Sequence, residues 1–276
     1  MIPPTSIDGS DITGATIDDT DVQEITVDGD VVFSAGLNLN DFVAPGNLVS
    51  YYPFSGNVND ETRTGGFLDN NNISVSDSTD YSYTVNDIIF DNSDGVLDYG
   101  SNTACIEFDG SDDSLFFNPD YIDSVTRDVT VTMWVKLLAS DLQIFMSADA
   151  DRALLGFDAS NGGYFVAYKK TGNYPSSAQA FSNDTTINQW RHLAYTATGS
   201  SSTVNWELYL DGQSVATLTG DDGTANITLV LGGENGGGGT SPTQGNFYEG
   251  KMDDMRVYDT ILSSSQIDQI YQNTKP

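Results

Sequence analysis

Glu107 and Asp109 stand two residues apart in Ile106-Glu-Phe-Asp-Gly110. Residues at i and i+2 of a strand share one face, so these carboxylates could work on one substrate. Glycoside hydrolysis needs such a pair across a cleft, roughly 5–10 Å apart. A second acidic group, Asp109-Gly-Ser-Asp-Asp113, gathers carboxylates in one turn. It lacks the frame and terminal Glu of an EF-hand calcium loop and reads as a solvated turn. The one histidine, His192, has no nucleophile elbow to serve. No His/Cys cluster suits metal-assisted hydrolysis. The one cysteine, Cys105, rules out an internal disulfide and reads as a small buried hydrophobe. The remaining chemistry is basic. Arg152 closes Asp149-Ala-Asp-Arg152, and Tyr164–Tyr174 holds Tyr168, Lys169, Lys170, Asn173 and Tyr174. Three of the ten bases thus fall in two short segments. An exposed tyrosine can stack on a sugar ring while an amide and ammonium groups hold its hydroxyls. The competing reading is a tyrosine-rich hairpin that pairs across strands.

The elements that position these groups belong to an acidic chain of 276 residues. Forty acids against ten bases give a net charge of -30, and Asp outnumbers Glu 34 to 6. Calcium modules concentrate Asp in a few loops, whereas here Asp lies in nearly every turn from Asp8 to Asp268. That distribution points to a protein built for high salt, where screening shortens self-repulsion to a few ångströms. The same charge argues against nucleic acid and anionic lipid, which need Lys/Arg patches. A hydrophobic fraction of 38% with 11% aromatics supports a real core. No apolar run approaches the length of a membrane span. Met1-Ile-Pro-Pro-Thr-Ser lacks the basic and apolar regions of a secretory signal. Delivery inside an assembly made within a cell, such as a virus particle, is the expectation.

The pattern along the chain is that of strands. Ile7-Asp-Gly-Ser-Asp-Ile, Ile17-Asp-Asp-Thr-Asp-Val and Val27-Asp-Gly-Asp-Val-Val repeat every ten residues. Asp-Gly between short apolar runs signals hairpins, so two or three short hairpins are expected here. With few large apolar residues and no base through residue 62, such a unit cannot bury a core alone. It should pack on copies of itself or on a partner. Leu37–Asn47 reads as a linker broken at Pro45-Gly46, and a large domain starts at Leu48. The expected division is residues 1–45, an attachment or oligomerisation segment, and residues 46–276. From Leu48 onward the period is two. Val131, Met133 and Val135 face one way, and Thr130, Thr132 and Trp134 the other. This predicts an all-β antiparallel sandwich. Ser263 caps the one helical signal, whose Ile267, Ile270 and Tyr271 fall at helical spacing. Residues 233–245 are glycine-rich but lack the ending of a phosphate loop. Residues 69–102 read as a long insertion with a weak strand at Val85–Phe90.

The ordered phrases Leu48-Val-Ser-Tyr-Tyr-Pro-Phe-Ser-Gly56, Ile106-Glu-Phe-Asp-Gly110, Val129–Lys136, Trp190-Arg-His-Leu-Ala194, Glu207-Leu-Tyr-Leu-Asp-Gly212 and Phe247–Tyr258 carry a resemblance. The chain from about residue 48 to 272 resembles the laminin-G-like branch of the concanavalin-A-like jelly rolls. The resemblance implies a jelly-roll sandwich closing on a short helix, with Trp190 and His192 in its core. It implies a surface recognition module rather than an enzyme. Hydrolases on this sandwich carry a Glu-x-Asp-x-x-Glu strand, and here Asp112 stands where the second Glu would fall. Calcium (Ca2+) is the family's usual ion, held by hard oxygen ligands. The resemblance places a site where the loop after the first strand meets the last strand, implicating Asp60, Asp253 and the backbone near Gly56. The alternative is that Asp60 caps a turn and Asp253 lines a solvated strand edge.

These readings converge on a non-enzymatic adhesion protein on the surface of a virus particle, such as a tail fibre or turret of a haloarchaeal virus. The N-terminal repeat would hold it to other virion proteins as a homo-oligomer. The sandwich would contact host surface glycan or glycoprotein. A decoration protein without a ligand, a cellular carbohydrate-binding module of a halophile, and a glycosidase are the alternatives.

Overall fold

The architecture is that of a computed structural model. It describes residues 6–7, 10–17, 22–27, 30–34, 42–54, 89–91, 95, 104–111, 113–117, 128–147, 153–168, 178–200, 203–220, 229–234 and 246–276. Strands β1 (Ser6–Ile7), β2 (Ser10–Ile17), β3 (Val22–Val27) and β4 (Asp30–Ser34) form a four-stranded antiparallel sheet in sequence order. Ile7 pairs with Ser10 and Val27 with Asp30, so each Asp-Gly pair of the repeat joins adjacent strand ends.

Two further sheets make the sandwich. The eight-stranded sheet runs β16 (Gln213–Gly220), β15 (Thr203–Leu210), β14 (Trp190–Ser200), β9 (Val129–Leu137), β18 (Glu249–Tyr258), β7 (Cys105–Asp109) and β6 (Ile89–Asp91). Its eighth strand, β5 (Leu48–Tyr52), also pairs with β18. The six-stranded sheet runs β13 (Gln179–Phe181), β12 (Gly163–Tyr168), β11 (Ala153–Asp158), β10 (Gln143–Ser147), β17 (Leu229–Leu231) and β8 (Leu115–Phe117). Every pairing between these strands is antiparallel.

Alternation decides what lies between the sheets. Val131, Met133 and Val135 of β9 point inward with Leu193, Tyr195, Trp206 and Leu208 from neighbouring strands. Phe145, Leu155, Phe157, Tyr164 and Val166 meet them from the six-stranded sheet. The Asp211-Gly212 turn of the β15–β16 hairpin has both residues left-handed, at φ 48° and 79°, as a tight primed turn requires.

The outward face of the eight-stranded sheet is also covered. Helix α1 (Ser264–Thr274) begins with a capping box between Ser263 and Gln266. Its Ile267 and Ile270 pack on Ala194, Tyr209, Tyr258 and Leu262. Thr130, read as outward-facing, donates to the Thr260 carbonyl and accepts from Leu262 N, fixing the approach to the helix. Trp134 donates its indole N–H to Thr274 Oγ1 at 2.9 Å. Phe42 and Val43 are buried in this same layer. The stretch read as a linker therefore carries core side chains, and Pro45–Asn47 forms a single 3-10 turn inside it. Of the expected weak strand at Val85–Phe90, Ile89 and Phe90 lie in β6 (Ile89–Asp91), and residues 85–88 lie outside the described residues.

Candidate functional site

β18 is the central strand of the eight-stranded sheet, and its neighbours change midway. On one side it pairs with β9 throughout. On the other it pairs with β7 over Glu249–Met252 and with β5 over Met255–Tyr258. The changeover falls on Asp253 and Asp254, where the register with β9 also slips. Asp254 sits at φ 47°, a left-handed conformation costly for a residue with a side chain. Asp253 meets part of that cost, because its Oδ1 accepts the Asp254 N–H at 2.8 Å.

The two carboxylates have different duties. Asp254 faces Arg256, whose Nε and Nη2 donate to Asp254 Oδ1 at 3.0 and 2.8 Å and whose Nη2 reaches Oδ2 at 2.9 Å. Neither side chain is exposed. The guanidinium also lies 4.9 Å from the Phe42 ring and 5.5 Å from the Tyr51 ring, a desolvated cation–π arrangement. Asp253 is 1% exposed. Tyr52 of β5 pairs with Met255, so the chain leaving β5 heads past Asp254 toward Asp253. The reading of Asp253 as a solvated edge residue is overturned, because the strand is central and the side chain buried. Its expected companions Gly56 and Asp60 lie outside the described residues. Among the described residues no three His, Cys, Asp or Glu side chains converge on one point.

The other expected groups distribute as follows. Arg152, Lys169, Lys170, Asn173 and Tyr174 lie outside the described residues. Tyr168 ends β12 and pairs with Ala153, the first residue of β11. The two basic segments are thus joined to adjacent strand ends. His192 is fully buried and packs on Trp134 at 5.3 Å and Tyr271 at 6.0 Å, two rings that also touch each other at 5.8 Å. Neither ring nitrogen has a hydrogen-bond partner. Burial, then the nearby Arg256 charge, pushes its pKa down to about 3, so the ring is neutral. Trp190, expected in the core beside it, is only half-buried at the start of β14.

Glu107 and Asp109 are both engaged elsewhere. Glu107 lies 3.8 Å from Lys251 Nζ across the β7–β18 pair. Asp109 accepts the Ser111 N–H at 2.7 Å. In the same turn Asp113 is 2% exposed and accepts the Asp109 N–H, so it is a buried turn cap rather than a solvated carboxylate. The Asp254–Arg256 pair escaped the sequence reading. Its signal was an arginine two residues after adjacent aspartates, in a strand of a chain with only ten bases.

The geometry defines an antiparallel jelly-roll sandwich of concanavalin-A-like type. Residues 109–268 match the Laminin_G_3 family model, and the chain belongs to the concanavalin A-like lectin/glucanases superfamily. Among solved structures it is similar to domain 4 of an extracellular GH43 arabinanase from Geobacillus stearothermophilus in complex with arabinotriose. The identity there is 19%, over 82% of this chain and 98% of that one, with a TM-score of 0.54. A heptameric SAP-like pentraxin from Limulus polyphemus matches at 16% identity over 60% and 81%, TM-score 0.44. The CBM40 of a Ruminococcus gnavus IT-sialidase, bound to alpha2,3 sialyllactose, matches at 17% over 54% and 84%, TM-score 0.41. No curated protein matches in sequence. Among the described residues no helix is long and apolar enough to cross a membrane.

Proposed function

We propose that this chain is a non-enzymatic adhesion protein of a virus-particle surface that binds host glycan or glycoprotein. The observation that carries the reading is membership of a superfamily of lectins and glucanases in which the pair most like a glycosidase's is otherwise engaged. Glu107 faces Lys251 and Asp109 caps a turn. The similar arabinanase domain was solved with arabinotriose, which agrees with a saccharide ligand.

The ligand rim would comprise Arg152, Tyr168, Lys169, Lys170, Asn173 and Tyr174. Support comes from the Ala153–Tyr168 pairing, which ties both segments to one end of the β11–β12 hairpin. The four-stranded N-terminal sheet supports an attachment role, because so small a sheet cannot bury a core alone. The net charge of -30 supports a high-salt setting. Calcium would bind at the changeover. Asp253 supplies a buried carboxylate, and Gly56 and Asp60 would complete the oxygen set. Bound calcium would fix the loop after β5 against β18.

The test is binding of the purified protein, in molar salt, to haloarchaeal cell envelopes, with a form lacking residues 1–45 alongside. Retained binding by the shortened form assigns recognition to the sandwich and attachment to the repeat. Absence of binding by both forms ends the adhesion reading and favours a decoration protein.

A further inference from the structure

Asn-x-Ser/Thr, the acceptor pattern for an N-linked glycan, occurs at Asn72, Asn183 and Asn226. Of these only Asn183, in Asn183-Asp-Thr185, lies within the described residues. So short a pattern arises freely in a chain rich in Asn, Ser and Thr, and the fold has to decide. Asn183 sits in the turn between β13 and β14, at φ 58°. The neighbouring polar side chains hold that turn. Ser182 Oγ accepts the Tyr164 and Asp184 N–H groups at 3.0 and 3.2 Å. Asp184 accepts the Thr186 N–H at 2.8 Å and pairs with Arg191. Asn183 and Thr185 are both exposed, and among the described residues neither side chain enters a hydrogen bond. The left-handed backbone accounts for an Asn at 183, since Asn tolerates that conformation. It leaves the Thr185 hydroxyl with no part in holding the turn. A second observation concerns apolar surface. Among the described residues the exposed large hydrophobics are Leu138 and Ile187, at 38% and 40%. Both adjoin this turn. Ile187 follows Asn183 by four residues, and the Asn188 N–H donates to the Leu137 carbonyl at 2.7 Å.

We propose that Asn183 carries an N-linked glycan, transferred from a saccharide held on a lipid phosphate. Asn183 Nδ2 attacks C1 of the first sugar. The Nδ2–C1 bond forms and the C1–O bond to the phosphate breaks. The lipid phosphate leaves with that electron pair, and one amide proton passes to a base of the transferase. The Thr185 hydroxyl is the group by which the transferase selects this amide. Once attached, the sugar's C–H faces cover Ile187 and Leu138 while its hydroxyls face water. The inference rests on the surface reading only in requiring that the chain meet an envelope transferase. The glycan stands apart from the proposed ligand rim. Asp184 bridges to Gly163 at one end of β12, and Tyr168 ends the other. Five strand steps separate them by roughly 17 Å. Carrying a glycan and binding one are therefore separate properties of this sandwich.

The experiment uses the full chain, exported from a haloarchaeal host and digested with trypsin. Cleavage after Lys170 and Arg191 isolates Thr171–Arg191, which holds this acceptor pattern and no other. A surface glycoprotein of the same culture, found glycosylated, shows that the transferase is active. The expected result is a Thr171–Arg191 peptide heavier by whole sugar residues, with fragment ions placing them on Asn183. Asn183→Gln and Thr185→Ala should lose the added mass, and Thr185→Ser should keep it in part or whole. An unmodified peptide beside a glycosylated control, or a Thr185→Ala peptide still modified, overturns the inference. Envelope binding by Asn183→Gln reads the adhesion proposal separately and should match wild type's. Absence of binding by both forms ends the adhesion reading and leaves the glycan result intact.

Discussion

Arg256 and Asp254 are two residues apart on one strand and face each other with no exposed side-chain surface, the guanidinium donating to both carboxylate oxygens at 2.8 and 2.9 Å. Residues at i and i+2 of a strand share one face, and here that face is covered, so the two charges meet without water. The pair joins three segments at once: β18, the Phe42 segment and β5 through Tyr51. Removing one partner of a buried ion pair leaves the other charged and desolvated, at about 3–5 kcal/mol. Arg256→Ala and Asp254→Ala should each lower unfolding free energy by that amount, measured by chemical denaturation in high salt. The double variant should lose clearly less than the two single losses together. Full additivity would show that the two residues act separately.

His192 makes stability depend on pH. Its folded pKa, about 3, lies below the unfolded value near 6.5 because burial and then Arg256 disfavour the imidazolium. Between those values the unfolded chain binds more protons than the folded one, so stability is full above pH 6.5 and falls on acidification. From pH 7 to pH 5 the loss attributable to this ring is about 2 kcal/mol. His192→Phe keeps a ring against Trp134 and Tyr271 and cannot titrate. Its denaturation midpoint should fall less steeply over that interval than wild type's. Parallel pH curves would show that His192 is not the group responsible.

The sandwich was legible where one physical rule acts alone. Period-two alternation placed Val131, Met133 and Val135 inside, and the Ser263 signal located the start of α1. Alternation identifies the outward face of a strand but not whether that face meets water. Trp134 was assigned outward, and it is buried because α1 lies over it. The Asp253–Asp254 pair was legible as acid but not as geometry, since a bulge breaks the period from which faces are inferred. Asp113 looked solvated in an Asp-rich chain, and only the fold turns it back onto the Asp109 N–H. The basic rim depended on segments beyond the strands, where periodicity gives no register.

The rim can be tested by charge. Arg152→Glu, Lys169→Glu and Lys170→Glu together reverse the local charge. If this rim recognises the surface glycan, the triple variant should bind cell envelopes at least about tenfold more weakly in molar salt, a loss of about 1.4 kcal/mol. Its melting temperature should stay close to wild type's, which separates lost recognition from lost folding. Undiminished binding would move recognition elsewhere on the sandwich.

Asp253 separates a calcium ligand from a purely structural carboxylate. Asn has nearly the same shape and can still accept the Asp254 N–H that Asp253 accepts at 2.8 Å, but it lacks the charge calcium requires. Ligand binding to the folded state raises stability by about 2.7 kcal/mol at a hundredfold excess over the dissociation constant. Wild type stripped with a chelator should therefore melt at a temperature that climbs with added calcium, while Asp253→Asn should show a flat response. Magnesium at the same ionic strength controls for screening, since it keeps its waters and prefers a stricter octahedral site. A wild-type melting temperature indifferent to calcium would leave Asp253 with the bulge alone.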